Sequence, residues 1–301
     1  MLVHKYSSPS KPTRVVILGG GGFLSPELAR LLAEDAIPTR VIGSREIDLT
    51  AADTGDRLAA EIRPDDAVVM AAALTPDKGR DIATLMKNLR MAESVCAALD
   101  RAKPAHFLYI SSDAVYDARS SLLTEESTCE PADLYSLMHI ARERMLEQSC
   151  RSAAIPLAIV RPCAIYGPGD THNSYGPNRF IRNASQGKIT LFGVGEEQRD
   201  HVYVGDVLKM LKLCLLHRSV GVINAVSGRA ASFRKVALHI MSLMPPGVEL
   251  ECRPSNAIVT HRHFDNTALI KSFPGFQPTS MEIGIKDTMD AIAGAQPEPV
   301  G

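Results

Sequence analysis

From Arg14 onward, short apolar runs rich in β-branched residues alternate with longer stretches in which apolar and polar positions recur at helical spacing. The runs 15–18, 39–42, 67–70, 107–111 and 158–161 have the length and residue types of buried strands. Between them, 26–34, 55–62, 82–99 and 134–148 carry apolar residues three and four apart, as amphipathic helices do. Strand followed by helix, repeated in this way, predicts an α/β fold with an open, doubly wound parallel sheet. After Tyr166 the texture changes to Gly-, Pro- and Asn-rich sequence through Gly195, the composition of binding loops rather than scaffold. Helical spacing returns at 207–216 and 233–244. There is no internal repeat and no low-complexity tract.

Composition narrows the partners. The 301 residues are 45% apolar, and 33 basic side chains face 34 acidic ones for a formal charge of -1. Nucleic-acid binders rely on concentrated Lys/Arg surfaces, and the charge clusters here are short and mixed, as in Ala141-Arg142-Glu143-Arg144; no nucleic-acid partner is expected. Six scattered cysteines without a C-x-x-C pair read as reduced, mostly buried thiols rather than a disulfide framework or zinc ribbon. No window approaches the roughly 18 consecutive apolar residues that span a bilayer, so no membrane association is expected and the expected location is the cytoplasm. The polar start, residues 1–13, reads as a flexible arm without the apolar core of a signal peptide.

The first chemistry-bearing feature follows the first strand. Val15-Val16-Ile17-Leu18 runs into Gly19-Gly20-Gly21-Gly22-Phe23-Leu24-Ser25 and then a helix. Strand, glycine turn and helix N-terminus together suit a pyrophosphate, because glycine lets the backbone approach and the free N–H groups and helix dipole favour an anion. A dinucleotide also needs a group for the adenosine ribose after the second strand, where the chain reads Ile42-Gly43-Ser44-Arg45-Glu46. Ser44 and Arg45 suit a 2′-phosphate and favour NADP(H), while Glu46 keeps NAD(H) open.

The fourth strand ends in Tyr109-Ile110-Ser111-Ser112-Asp113-Ala114-Val115-Tyr116, and Tyr135 follows 23 residues after Ser112. Together with the glycine turn, Ala71-Ala72-Ala73, Asn88, Arg161-Pro162-Cys163-Ala164-Ile165-Tyr166-Gly167, Arg199-Asp200-His201-Val202-Tyr203-Val204 and Asn224, these motifs resemble the extended short-chain dehydrogenase/reductases, specifically the NAD-dependent epimerase/dehydratase family acting on nucleotide-sugars. The resemblance runs from about Arg14 to Ile292. It implies a Rossmann-like sheet formed by 14–164 and 202–226, interleaved with a smaller substrate lobe formed by 165–201 and 227–295, and a tail at 296–301. It implies an NAD(P) cofactor held by Gly19, Gly22, Phe23, Leu24, Ser44, Arg45, Asp48, Leu49, Ala71, Ala72, Ala73, Asn88, Ser111, Tyr135, His139 and Pro162. It implies a nucleotide-diphosphate sugar contacted by Ser112, Asp113, Asn178 and Arg199; Arg262, just before Asp265-Asn266-Thr267, is read from its position either as a second cation for that substrate or as a surface residue preceding a helix cap. A homodimer built on 82–99 and 134–148 is a further implication.

In such a site Ser112 holds the sugar oxygen and Tyr135 is the base, which works only if the phenol, ordinarily near pH 10, is made more acidic. The family achieves this with a Lys four residues on, one helical turn along the same face. This sequence has His139 there. An imidazole titrating near 6.5 is a weaker support, though it can hydrogen-bond a ribose hydroxyl or hold its proton beside a tyrosinate, and the substitution leaves three readings: a working variant, a slow or specialised enzyme, and a dinucleotide-binding protein with impaired chemistry. Two further departures are Ser25, where the family has its third turn glycine, and Ala164, where it often has a sugar-contacting Asn. The residues Asp113-Ala114 argue against an internal 4,6-dehydratase, whose relatives carry an acid pair at that point. The leading expectation is an epimerase working by transient hydride transfer, with a reductase similar to dTDP-4-dehydrorhamnose reductases as the alternative, suggested by Ser-Asp-Ala-Val-Tyr-Asp and Ile47-Asp48-Leu49-Thr50. His261 and His263 stand at i, i+2 near Asp265, but no metal is expected.

Overall fold

The structure, a computed structural model, describes residues 2–117 and 119–294; the expected tail at 296–301 lies outside them. Strands β1 (Val3–His4), β2 (Val15–Leu18), β3 (Thr39–Ile42), β4 (Ala67–Met70) and β5 (His106–Ile110) join the strands Leu157–Pro162 and Ser219–Ala225 in one seven-stranded sheet. Its order is β1, Ser219–Ala225, Leu157–Pro162, β5, β4, β2, β3. All neighbours are parallel except β1, which pairs antiparallel at the edge. The helices that cover it are α1 (Ser25–Glu34), α2 (Thr54–Glu61), α3 (Ile82–Ala102), α4 (Leu134–Ser152) and α6 (Val204–Leu216), whereas α5 (Pro177–Ala184) lies beyond the sheet.

The two-residue period of a strand decides which residues build which core. Val15 and Ile17 of β2, with Ala67 and Val69 of β4, pack with α1 and α6 on one face. Val16 and Leu18, with Val68 and Met70, pack with α2, α3 and α4 on the other. All eight of these side chains are essentially excluded from water, which explains why such strands read as continuous apolar runs rather than alternating ones.

Two expectations about the scaffold are corrected. Ser219–Ala225 is a sixth parallel strand, registered with Leu157–Pro162 from Gly221 to Ala225; the internal Gly221 and its short apolar content hid it from a pattern search. The flexible arm is in fact anchored. Val3 and His4 pair with Val220 and Ser219, Leu2 is buried, and the His4 ring bridges the Ser219 hydroxyl and the Ser272 carbonyl at 2.8 Å each. A two-residue strand is too short to announce itself in sequence, but it satisfies the open edge of the sheet.

A separate core lies beyond the carboxyl ends of the strands. There α5, Lys188–Phe192, α7 (Phe233–Leu243) and the helix Met281–Gly294 bury Tyr166, Phe180, Ile181, Ile189, Phe233 and Ile285. Gln198–Tyr203 links it to the main body, pairing with Ala230–Ser232 on one side and with Ala164–Tyr166 on the other.

Candidate active site

The loops that leave the carboxyl ends of β2, β4, β5 and Leu157–Pro162 converge with the loop 170–176 around one cavity of about 660 Å³. Gly22, Phe23, Leu24, Ala71, Ala73, Ser111, Ser112, Asp113, Tyr135, His139, Pro162 and Asn178, all singled out from sequence, line it. Open doubly wound sheets bind ligands at this edge because helix N-termini and strand-end loops meet there.

The glycine turn is dictated by space. Gly19 has φ +108°, and a Cβ on it would lie 2.7 Å from the backbone nitrogen of Ala72, so Ala72 serves as the wall that the turn presses against. Helix α1 then begins after Leu24, which provides no side-chain cap. Ser25 at its start is 1% exposed, lines the cavity, and its hydroxyl has no partner among the described residues. An uncapped helix N-terminus with an orphaned hydroxyl facing a cavity is the donor set an anionic group needs. Ser25 is therefore accommodated rather than crowding the strand.

The start of α4 is fixed by a capping box. The Asp133 carboxylate accepts from the Ser136 N–H at 2.8 Å and the Ser136 hydroxyl accepts from the Asp133 N–H at 3.0 Å, an arrangement typically worth about 1 kcal/mol. It sets Tyr135 in the first turn, facing the cavity. Burial pushes the Tyr135 phenol up to about 12; Asp113 and Asp133 add to the rise while Ser112 and Arg142 oppose it. One turn on, His139 is 2% exposed and edge-on to Tyr135, with ring centroids 4.7 Å apart. Its Nδ1 is 2.8 Å from the Tyr109 hydroxyl and its Nε2 has no partner among the described residues.

Burial, with the Arg142 charge adding to it, pushes the His139 imidazole down to about 3. The dry pocket that holds the ring therefore favours its neutral form over the protonated form expected as a support for the tyrosinate.

Several expected contacts are already occupied by the chain itself. Asn88 faces a separate small cavity, exchanges hydrogen bonds with the Leu74 backbone and accepts from Arg142, so it organises the loop after β4. Asn178 exchanges two hydrogen bonds with the backbone of Gly167, at 2.9 and 2.7 Å, clamping a residue with φ +144°. The Arg199 guanidinium bonds to Thr260 and pairs with Glu197, away from the cavity lining. Arg262 reaches Asp113 at 3.3 Å and the Tyr116 carbonyl at 3.0 Å; burial nonetheless pushes the Asp113 carboxyl up. At the far end of the glycine turn, Ser44 and Arg45 are exposed. Glu46 pairs with Arg40, Asp48 accepts from Thr50, and Leu49 is a core residue. No His/Cys/Asp/Glu cluster suited to a metal occurs among the described residues, and none of their helices is long and apolar enough to cross a membrane.

The polar layer beneath the cavity was not anticipated. Arg142 is fully buried and Glu143 is 2% exposed. Glu143 binds Arg161 through two hydrogen bonds of 2.9 and 2.6 Å and accepts from the Ser111 hydroxyl at 2.6 Å. Arg161 also donates to the Tyr116 hydroxyl, which donates to Asn224. The available signal was helical spacing: Arg142 and Glu143 fall seven and eight residues after Tyr135, on the face of α4 that His139 already marked. His201, with neither ring nitrogen partnered among the described residues, and Cys163 are further lining residues.

Strand-end loops converging on a cavity beside a glycine turn define a doubly wound α/β protein made to hold a ligand at its carboxyl edge. The profile of the NAD dependent epimerase/dehydratase family matches residues 15–226, and the chain belongs to that family. Solved structures share the fold at low identity. A GDP-L-fucose synthetase from Naegleria fowleri bound to NADP superposes with a TM-score of 0.84 at 17% identity, covering 96% of each chain. The UDP-glucose 4-epimerase of Thermotoga maritima with UDP-glucose gives 0.82 at 20%, covering 93% of this chain and 99% of that one. MoeE5 in complex with UDP-glucose and NAD gives 0.80 at 21%, covering 94% and 99%.

Proposed function

We propose that the protein is an NAD(P)-dependent nucleotide-sugar epimerase acting by transient hydride transfer at a sugar hydroxyl. The observation that carries this reading is the convergence of Ser112, Tyr135 and His139 with Gly22 and the orphaned Ser25 hydroxyl on one cavity. A nicotinamide dinucleotide would lie along the turn Gly19 to Gly22 and the α1 N-terminus, and when bound supplies the hydride acceptor that a protein side chain lacks. The chain's own part is to bind, orient and move a proton. Ser112 orients the sugar hydroxyl, Tyr135 takes its proton as the C–H bond is oxidised and returns it on reduction, and the His139 Nε2 offers a hydrogen bond at the same wall. Asp113, tied to Arg262, borders the space for the sugar.

NADP(H) is the favoured form. Glu46, the group that would select NAD(H), is engaged by Arg40, whereas Arg45 makes no ion pair with a described residue. UDP-glucose is bound in two of the structures above, which supports a UDP-sugar as the substrate class proposed here.

A second reading, a nucleotide-ketosugar reductase, is favoured by one observation: a phenol held protonated up to about 12 is set to donate a proton to a carbonyl oxygen. Incubating the purified protein with UDP-glucose and catalytic NADP⁺ or NAD⁺, and following the sugar by NMR, tests the pair. Epimer formation that Tyr135→Phe abolishes supports the first reading. Stoichiometric oxidation of NADPH by a UDP-4-ketosugar, without epimer formation from UDP-glucose, replaces it with the second.

A further inference from the structure

Arg142 is the largest side chain among the fully buried ones, and every partner it has is neutral. Its Nε donates to the Asn88 carbonyl at 2.9 Å, Nη1 to the Ala72 carbonyl at 2.8 Å, and Nη2 to Asn88 Oδ1 at 3.0 Å and Met91 Sδ at 3.3 Å. A guanidinium does not give up its proton, so this is a full positive charge without an ion-pair partner among the described residues. Holding one in a protein interior is costly unless a negative group faces it for some purpose. The adjacent Glu143 is not that group, because its two oxygens are committed to Arg161 and Ser111.

The charge sits on the α4 face where the usual ammonium is missing, while the other arginines near the site, Arg80 and Arg179, line the cavity from outside α4. Tyr135, His139 and Arg142 are spaced four and three residues apart on one face of α4, and the Arg142 head is bonded to Ala72, between the cavity-lining Ala71 and Ala73. His139 cannot carry the charge, since its ring is buried with Nδ1 on Tyr109 and Nε2 unpartnered. Of the charged groups that act most on Tyr135, Asp113 from the turn after β5 and Asp133 at the α4 cap are negative, and Arg142 is positive. Two helical turns are roughly 10 Å of axial rise, and at the effective dielectric of a protein interior a unit charge at that distance moves a phenol by about one pH unit.

We propose that Arg142 supplies the fixed positive charge that favours the Tyr135 phenolate, with His139 beside it as a neutral hydrogen-bonding group, so that a task usually given to one ammonium is divided between two residues. The proposal rests on the reading of Tyr135 as the proton-transferring group. Arg142 is then a positioning residue: it touches neither sugar nor dinucleotide and acts through the electrostatics of the α4 face.

The test reads the phenol directly. The full chain is prepared with 3,5-difluorotyrosine at position 135, whose intrinsically more acidic phenol titrates in an accessible range, and followed by ¹⁹F NMR against pH. Arg142→Met is expected to raise the midpoint by about one pH unit. Arg142→Lys is expected to keep it near the parent value, and adding His139→Lys to Arg142→Met to bring it back down. If Arg142→Met does not fold by circular dichroism, Asn88→Asp leaves the guanidinium in place but sets a carboxylate against Nη2, and the same upward shift is expected. Coincident midpoints in the parent and in the neutralised variant overturn the proposal, as does an equal rise in Arg142→Lys, which would mark a packing effect. Turnover has no part in this readout, so retention of activity by Tyr135→Phe would sink the base assignment while leaving the titration to stand or fall separately.

Discussion

The Tyr109 hydroxyl lies 2.8 Å from Nδ1 of His139, joining the end of β5 to the face of α4 in a pocket from which both side chains exclude water. Because Nε2 of the same ring has no partner among the described residues, this is the one hydrogen bond that satisfies the imidazole among them. Tyr109→Phe should therefore leave a buried ring with no partner at all and destabilise the protein by about 1–3 kcal/mol, read as a lower urea midpoint at unchanged slope. In a Tyr109→Phe, His139→Leu double variant the loss should be clearly smaller than the sum of the single losses. Additive losses would mean the contact carries no coupling.

Glu143 and Arg161 form a buried pair, 3% and 6% exposed at the side chain. Glu143→Ala strands the guanidinium and should cost about 3–5 kcal/mol, measured by equilibrium denaturation. Combining Glu143→Leu with Arg161→Met removes both charges and should recover most of that loss. A single substitution that costs less than about 1 kcal/mol would show that the pair is already hydrated.

Acid should weaken the fold in a defined window. Burial pushes His106, His139 and His201 down to about 4, about 3 and about 4, whereas in the unfolded chain each takes up a proton near 6.5. The unfolded state thus binds more protons as pH falls, and stability rises with pH across this range. The contribution is complete above about pH 6.5 and is lost as pH falls towards 4, at up to about 1.4 kcal/mol per pH unit for each histidine. Urea unfolding at pH 7, 6 and 5 measures it, and His201→Asn should lose less between pH 7 and 5 than the parent chain. An equal loss in the two proteins would contradict the assignment of His201 as a buried neutral ring.

Two glycines of the same turn should behave oppositely. Gly19→Ala forces a Cβ to 2.7 Å from backbone at a φ of +108°, while a Cβ on Gly21 would meet nothing within 4 Å. Gly19→Ala is expected to cost about 1–3 kcal/mol and to weaken binding of NADPH, followed by its fluorescence. Gly21→Ala should leave both within experimental error, and a Gly19→Ala protein that binds NADPH like the parent would argue against this turn as the dinucleotide cradle.

Much of the molecule was legible from one-dimensional pattern. Buried parallel strands such as Val15–Leu18 and Ala67–Met70 are continuous apolar runs because both faces are covered. The glycine turn announced itself because only glycine permits the approach of Gly19 to Ala72, and Ser112 and Tyr135 could be placed because local elements carry them to the same strand edge. Elements held by tertiary partners escaped: Val3–His4 exists only because the edge of Ser219–Ala225 is open to it.

The state of the site was decided by folding alone. Sequence put His139 one turn from Tyr135, but whether an imidazole is charged depends on how much water reaches it, and the packing of α4 against β5 and α3 removes that water. The same packing turned Ala141-Arg142-Glu143-Arg144, a mixed-charge cluster when read as text, into two buried groups of opposite fate: Glu143 neutralised by Arg161, and Arg142 left as a positive charge among neutral acceptors. Spacing along a chain fixes which residues share a face. Only the three-dimensional surroundings fix dielectric, partners and therefore charge, and these determine what the face does.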